Sequence, residues 1–208
     1  EDTDQARKVE GAVDAIMDSL KWLGLDWDEG PDVDGAYGPY LQSQRKEQGI
    51  YQRVVEELIS SHMAYECYCS AERLKTMREE QTARGDPPRY DGRCRNLKEI
   101  DREKALTLGL VPVVRFSMPL VGTTKVQDLV KGEVEFENHL LDDFVILKSD
   151  GYPTYHLAHM VDDHEMAISH VIRAEEWLPS LPRHWQLYEA LGWTKPIFVH
   201  VPIILAPD

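Results

Sequence analysis

Val9, Val13, Ile16, Leu20 and Leu23 recur at three- and four-residue steps, the stripe of an amphipathic helix that Gly24 closes. Tyr51, Val54, Val55, Leu58 and Ile59 repeat that spacing and predict a second helix. Between them, Asp26 to Pro39 is a loop rich in Gly, Pro and Asp. The pattern then changes. Ala64–Cys69 reads as a short strand, and Ser70 can cap a charged helix running to about Arg84. Gly85–Arg95 is rich in turn formers, and a short charged helix follows from Lys98 to Thr107. Strands come next: Val111–Ser117, then Val126–Val130 and Val134–Glu137 around Lys131-Gly132 as a hairpin, then Asp143–Leu147. Asp150-Gly151 turns the chain into a helix over Thr154–His164.

The last fifty residues predict a β-α-β unit. Ser169–Ala174 is an apolar strand, Ser180 can cap a helix through Leu191, and Ile197–Leu205 is nearly continuous apolar strand. Such runs belong to buried parallel strands. The whole pattern is an α/β fold over 1–63 and 142–208, interrupted by a smaller mixed insertion over 64–141.

With 208 residues the chain can bury one large core or two small ones. No apolar run approaches the ~20 residues of a membrane span, and Glu1-Asp2-Thr3-Asp4 has neither the basic start nor the apolar core of a signal peptide. Both ends look cut, so a longer parent protein is expected. Three cysteines, an odd number, argue against a secreted disulfide scaffold and for a reducing cytoplasm. A net charge of −14 disfavours nucleic acid at first sight, but it is unevenly spread. Residues 1–36 carry eleven acids against Arg7, Lys8 and Lys21, whereas 73–98 carry eight basic residues against four acids. That basic stretch is either a solvated face or a phosphate-contacting patch.

An open α/β sheet places its ligand at the carboxyl ends of parallel strands, which is where Arg173 stands, followed by Ala174-Glu175-Glu176-Trp177. Arginine there offers a planar fork for a carboxylate or phosphate; a structural Arg–Glu pair would use the same residues. Cys67 and Cys69 at i, i+2, with Cys94 returning from a loop, suit tetrahedral zinc; three free cysteines are the alternative.

Ile172-Arg173-Ala174-Glu175-Glu176-Trp177-Leu178 resembles the strand-end signature of the glutamyl-tRNA synthetases. Further segments match the same family in order: Glu1–Asp4, Leu20–Leu25, Gly38-Pro39-Tyr40 through Ser43 and Arg45, and Ser149–Ala158 continued by Val161–His164. The resemblance covers essentially the whole chain. Its HIGH-type and KMSKS-type ATP motifs are absent and are expected before Glu1 and just past Asp208.

The resemblance implies a Rossmann-like class I catalytic domain with an inserted α+β connective domain that cradles the tRNA acceptor end. It implies ATP with Mg²⁺, L-glutamate and tRNA(Glu) as partners, a cytoplasmic setting, no membrane, and a monomer. Glu1 matches the carboxylate that holds the substrate ammonium. Tyr155 and Arg173 match groups for its carboxylates, and Trp177 packs along the amino acid. Glu176 matches a nucleotide contact, and the Ile203-Ile204 backbone matches the adenine edge. His159 falls where the family commonly has Asn, so it is either a pocket residue or a plain core or surface one. Some bacterial members carry Cys-x-Cys…Tyr-x-x-x-Cys zinc, which makes Tyr90 the fourth ligand beside Cys67, Cys69 and Cys94. Tyr65, Tyr68 and Tyr90 with the basic loop suggest stacking and phosphate contact at a splayed RNA end. The alternatives are a glutamyl-queuosine tRNA(Asp) synthetase, which the long insertion disfavours, and a non-catalytic RNA-binding paralogue.

Overall fold

The structure is a computed structural model that describes Asp2 and residues 9–203. In chain order the elements are α1 (Ala12–Trp22), α2 (Gln42–Glu47), α3 (Ile50–Ser60), β1 (Ala64–Cys67), α4 (Ala71–Ala83), α5 (Glu99–Thr107) and β2 (Val113–Phe116). Then come β3 (Thr123–Asp128), β4 (Gly132–Glu137), β5 (Val145–Leu147), α6 (Tyr155–Glu165), β6 (His170–Ala174), α7 (Leu181–Ala190) and β7 (Ile197–Val201). Short 3-10 helices occupy Asn138–Leu140 and Glu175–Ser180.

The predicted elements form with local adjustments that have physical causes. Ser70 caps α4 by accepting the Arg73 N–H at 3.2 Å. Thr154 precedes α6, but its hydroxyl donates to the Val145 carbonyl at 2.8 Å and ties the helix to β5. Ser180 makes no capping bond, because the 3-10 helix runs straight into α7 and leaves Ser180 helical. The first hairpin strand ends at Asp128 rather than Val130. Asp128 Oδ1 accepts the N–H groups of Val130 and Lys131 at 3.0 and 2.8 Å, which takes them out of the ladder. Gly132, at φ +74°, then opens β4 in a conformation that favours glycine. Among the described residues the last strand runs to Val201, where Pro202 has no N–H for the ladder, and the rest of the expected run from Ile204 lies outside the described residues. The six-residue α2 carried no apolar stripe and was not anticipated. No residue of α1 is buried, so its apolar stripe is helical in period but uncovered in this structure.

Two sheets result, of order β1-β2-β5 and β4-β3-β7-β6. β6 and β7 are parallel, in register from His170↔Ile197 to Ala174↔Val201, as the apolar runs implied. Pairing crosses the bounds 64 and 141: β2 pairs with β5, and β3 joins β7 in parallel at Asp128↔Phe198. One large core lies under both sheets, with Leu58, Val126, Ile146, Leu157, Leu181 and Leu187 fully buried. Each such side chain contributes about 1.5–3 kcal/mol of burial.

Candidate functional site

The parallel pair places the site. Arg173 is the register partner of His200 on β7, so the two side chains share one face of the sheet. Arg173 Nε donates to His200 Nε2 at 2.9 Å. On the far side of that ring, His200 Nδ1 lies 2.6 Å from Asp128 Oδ2, which also accepts the His200 backbone N–H at 3.0 Å. Both side chains are fully buried. Burial pushes the Asp128 carboxyl upward, but the bonds from His200, Lys131 and Val130 outweigh it and hold the pKa below 3.8.

On the other side, Arg173 Nη2 is 3.4 Å from Nδ1 of His184, a fully buried residue of α7. His184 Nε2 meets His156 Nδ1 at 2.9 Å and His159 Nε2 at 3.1 Å, both from α6. Burial first, then neighbouring His and Arg groups, depress the His184 pKa well below the usual imidazole range. Burial and Arg183 push His156 down to about 4. Arg173 is itself lowered by burial, against the pull of Tyr155. Its Nη1 is buried with no hydrogen-bond partner among the described residues.

Arg173 also neighbours Tyr155, which belongs to an aromatic wall. The Tyr155 ring stacks on His159 at 4.6 Å and tilts against Trp177 at 4.8 Å. The structure therefore brings together Arg173, Tyr155, His159 and Trp177. Glu176 is exposed in the 3-10 helix, and Ile203 lies just past β7 with its backbone near the Glu175 carboxylate. Glu1 and Ile204 lie outside the described residues. His156, His184, His200 and Asp128 were missed from sequence, although two signals existed. His200 is the one polar side chain in the apolar run Ile197–Leu205, and His184 stands three residues from both Leu181 and Leu187 on the buried face of α7.

A second cluster closes β1 against the following loop. The sulfurs of Cys67, Cys69 and Cys94 lie within 4.8 Å of one another, with Cys69 and Cys94 3.6 Å apart. The Tyr90 hydroxyl is 3.4 Å from Cys67 Sγ and 3.6 Å from Cys69 Sγ. Zinc–sulfur bonds of ~2.3 Å in a tetrahedron put neighbouring sulfurs about 3.7 Å apart, so the sulfur spacing fits that metal. A hydrogen bond from Cys94 draws the Cys67 thiol downward and pushes Cys94 up. Tyr65 and Tyr90 are buried in the small core around these cysteines, so their faces are not open to stack on bases. Only Tyr68 is partly open. The basic stretch is partly consumed internally: Arg73 pairs with Asp91, Arg84 with Asp86 and Arg95 with Asp143. Exposed Arg78, Arg93 and Lys98 make no ion pair among the described residues.

Comparison with known proteins converges on one family. The family described as tRNA synthetases class I (E and Q), catalytic domain, matches residues 1–208. A glutamate–tRNA ligase of Dehalococcoides mccartyi is 57% identical over all 208 residues, which span 41% of that protein. One from Fusobacterium nucleatum is 52% identical, again over the whole chain and 40% of the relative. The solved glutamate–tRNA synthetase of Elizabethkingia anophelis superposes with a TM-score of 0.93 at 43% identity, covering 100% of this chain and 43% of its own. The fold is accordingly that of the class I synthetase catalytic domain, and the chain spans about two-fifths of the length of the relatives it matches. With its parallel strand pair ending in Arg173 and its full-length match, this chain belongs to the class I tRNA synthetases (E and Q), as part of their catalytic domain.

Proposed function

We propose that the whole protein is a glutamate–tRNA ligase, which activates L-glutamate with ATP to glutamyl-adenylate and then passes the glutamyl group to the 3′ end of tRNA(Glu). The observation that carries this reading is the buried, unaccepted Nη1 of Arg173, a residue that neighbours Tyr155. A buried guanidinium N–H without an acceptor is costly, and a bound carboxylate would satisfy it with a charge-assisted bond. In this reading Arg173 and Tyr155 hold glutamate carboxylates, Glu1 its ammonium, and His159 and Trp177 bound the side chain. Glu176 and the Ile203-Ile204 backbone hold the nucleotide.

In the first step a carboxylate oxygen of glutamate attacks the α-phosphorus of ATP and pyrophosphate leaves. Mg²⁺ bound with ATP supplies neutralisation of the phosphate charge. The chain's own part is to fix the amino acid by both ends, so that the attack starts from a near-aligned pair. In the second step a hydroxyl of the terminal adenosine attacks the acyl carbon and AMP leaves. Exposed Arg78, Arg93 and Lys98, with half-open Tyr68, supply the contact of segment 64–141 with the acceptor end.

The test is pyrophosphate exchange by the full-length protein with tRNA present, comparing glutamate, glutamine and aspartate. Exchange driven by glutamate alone supports the reading; exchange driven by glutamine, or by none of them, removes it.

Zinc is proposed at Cys67, Cys69 and Cys94, with Tyr90 as the fourth ligand. It would tie β1 to the loop after α4, a structural role. Protein prepared without chelators is expected to carry about one zinc per chain, and Cys94→Ser to lose it. Cys94→Ser should also expose the Gly85–Arg95 loop to protease while the core around Arg173 keeps its protection. Metal-free protein with that loop equally protected would rule the metal out.

A further inference from the structure

Among the described residues Arg173 makes no ion pair; two of its donors meet imidazole nitrogens instead. We propose that Asp128, His200 and His184 are positioning residues for Arg173. In this arrangement Asp128 sets the His200 tautomer, and the two rings hold the guanidinium by bare nitrogens without cancelling its charge. This rests on the reading of Arg173 as the contact to glutamate.

The proton assignment follows from the donors available. An ionised carboxylate only accepts. Asp128 takes the backbone N–H groups of His200, Val130 and Lys131, and sits 2.6 Å from His200 Nδ1, so that nitrogen carries the proton. His200 Nε2 is then a lone pair, as the Nε–H of Arg173 requires. The carboxylate stands where β3 would otherwise have continued its ladder, so the strand end itself fixes the tautomer.

The second arm resolves in the same way. His184 Nδ1 faces Arg173 Nη2 and accepts, so His184 Nε2 carries the proton, which His156 Nδ1 and His159 Nε2 share. His159 Nδ1 then donates to Asp163 Oδ2 at 3.2 Å. Each ring nitrogen that bonds in the chain from Arg173 to Asp163 then has one role. Among the described residues only Cys67, Cys69 and Cys94 group closely enough to suggest a metal site, so the histidines are a hydrogen-bond chain.

The chemical gain is specific. A carboxylate against Arg173 would hold it equally well, but it would compete with the substrate's carboxylate for the same positive charge. A neutral imidazole fixes the plane of the guanidinium and leaves its charge for the ligand. Two occupied edges also restrict the guanidinium to one orientation, with Nη1 left for the substrate.

Asp128→Asn tests the first arm. An amide NH₂ against the His200 backbone N–H and Nδ1–H drives the ring to its other tautomer and sets Nε2–H against Arg173 Nε–H. In the full-length enzyme, pyrophosphate exchange should show the glutamate KM rising roughly ten- to hundred-fold, with the ATP KM within about threefold. His200→Leu should behave alike, while His200→Gln, whose carbonyl can replace Nε2 as acceptor, should restore most of the loss. Nitrogen-15 spectra of labelled histidine should show His200 protonated at Nδ1 in the parent and not in Asp128→Asn. The proposal falls if Asp128→Asn leaves the glutamate KM within about twofold, if glutamate and ATP terms move together, or if the parent His200 is protonated at Nε2 alone. Should Asp128→Asn not fold, the His200→Leu and His200→Gln pair decides. If the parent shows no glutamate-dependent exchange, the functional reading fails, and the tautomer spectrum still decides the positioning.

Discussion

Arg173→Ala in the full-length enzyme is expected to weaken the use of glutamate by roughly thirty-fold to several thousand-fold, since removing one partner of a buried charge pair costs ~2–5 kcal/mol. The loss is concentrated in glutamate because the buried Nη1 donor has no acceptor among the described residues and is the one proposed to meet the substrate carboxylate, while the nucleotide contacts are proposed for other residues, Glu176 and the Ile203-Ile204 backbone. Alanine also leaves His200 Nε2 and His184 Nδ1 without their donor, which adds a structural cost. Arg173→Lys should recover only part of the activity. One ammonium cannot reach His200, His184 and a substrate carboxylate at once. Aminoacylation with glutamate and ATP varied separately is the measurement. An intact glutamate term with a damaged ATP term would show that the pocket is assigned to the wrong ligand.

The second large effect is on stability. Asp162 of α6 accepts from Arg45 Nε at 2.6 Å, Gln42 at 2.8 Å and the Tyr51 hydroxyl at 2.8 Å, and so joins α2 and α3 to α6. Arg45 is 2% exposed and also reaches Glu165 at 2.7 Å. Asp162→Ala leaves a buried guanidinium, a phenol and an amide facing an empty space. Breaking such a pair costs about 3–5 kcal/mol. At roughly 2–4 °C per kcal/mol for a domain of this size, the melting temperature should fall by about 6–20 °C. Asp162→Asn keeps an oxygen for Arg45 and Tyr51, and Gln42 can turn its amide to accept from the new NH₂, so its loss should be clearly smaller. Equal melting temperatures for the two variants, measured by circular dichroism, would show that hydrogen-bond acceptance at this position is not what matters.

The sequence by itself determined most of the local elements and named candidate residues for the site. Apolar spacing sufficed for α3, the Ser70 side chain for the start of α4, and the two apolar runs for the parallel pair β6–β7. Arg173 stood out as a candidate because the carboxyl end of a parallel strand is where such a sheet places its ligand. The family signature around it supplied Trp177, the resembling segment 149–158 supplied Tyr155, and His159 stood where the family commonly has Asn; the structure gathers the three rings, with Tyr155 against both others.

Only the tertiary structure decided what surrounds these residues. Asp128 and His200 are 72 positions apart, and His156 and His184 are 28 apart; no local period connects them. Their meeting depends on β3 joining β7 and on α6 packing against α7, which are non-local choices made by sheet order and core shape. The same reason sets the limits of local pattern. A period of three and four residues specifies that α1 is a helix, but not which surface covers its stripe, and in this structure none of it is buried. Tyr65 and Tyr90 carry an aromatic face wherever they stand; the cysteine cluster and the loop after α4 turned those faces inward, because burying them there completes a second small core.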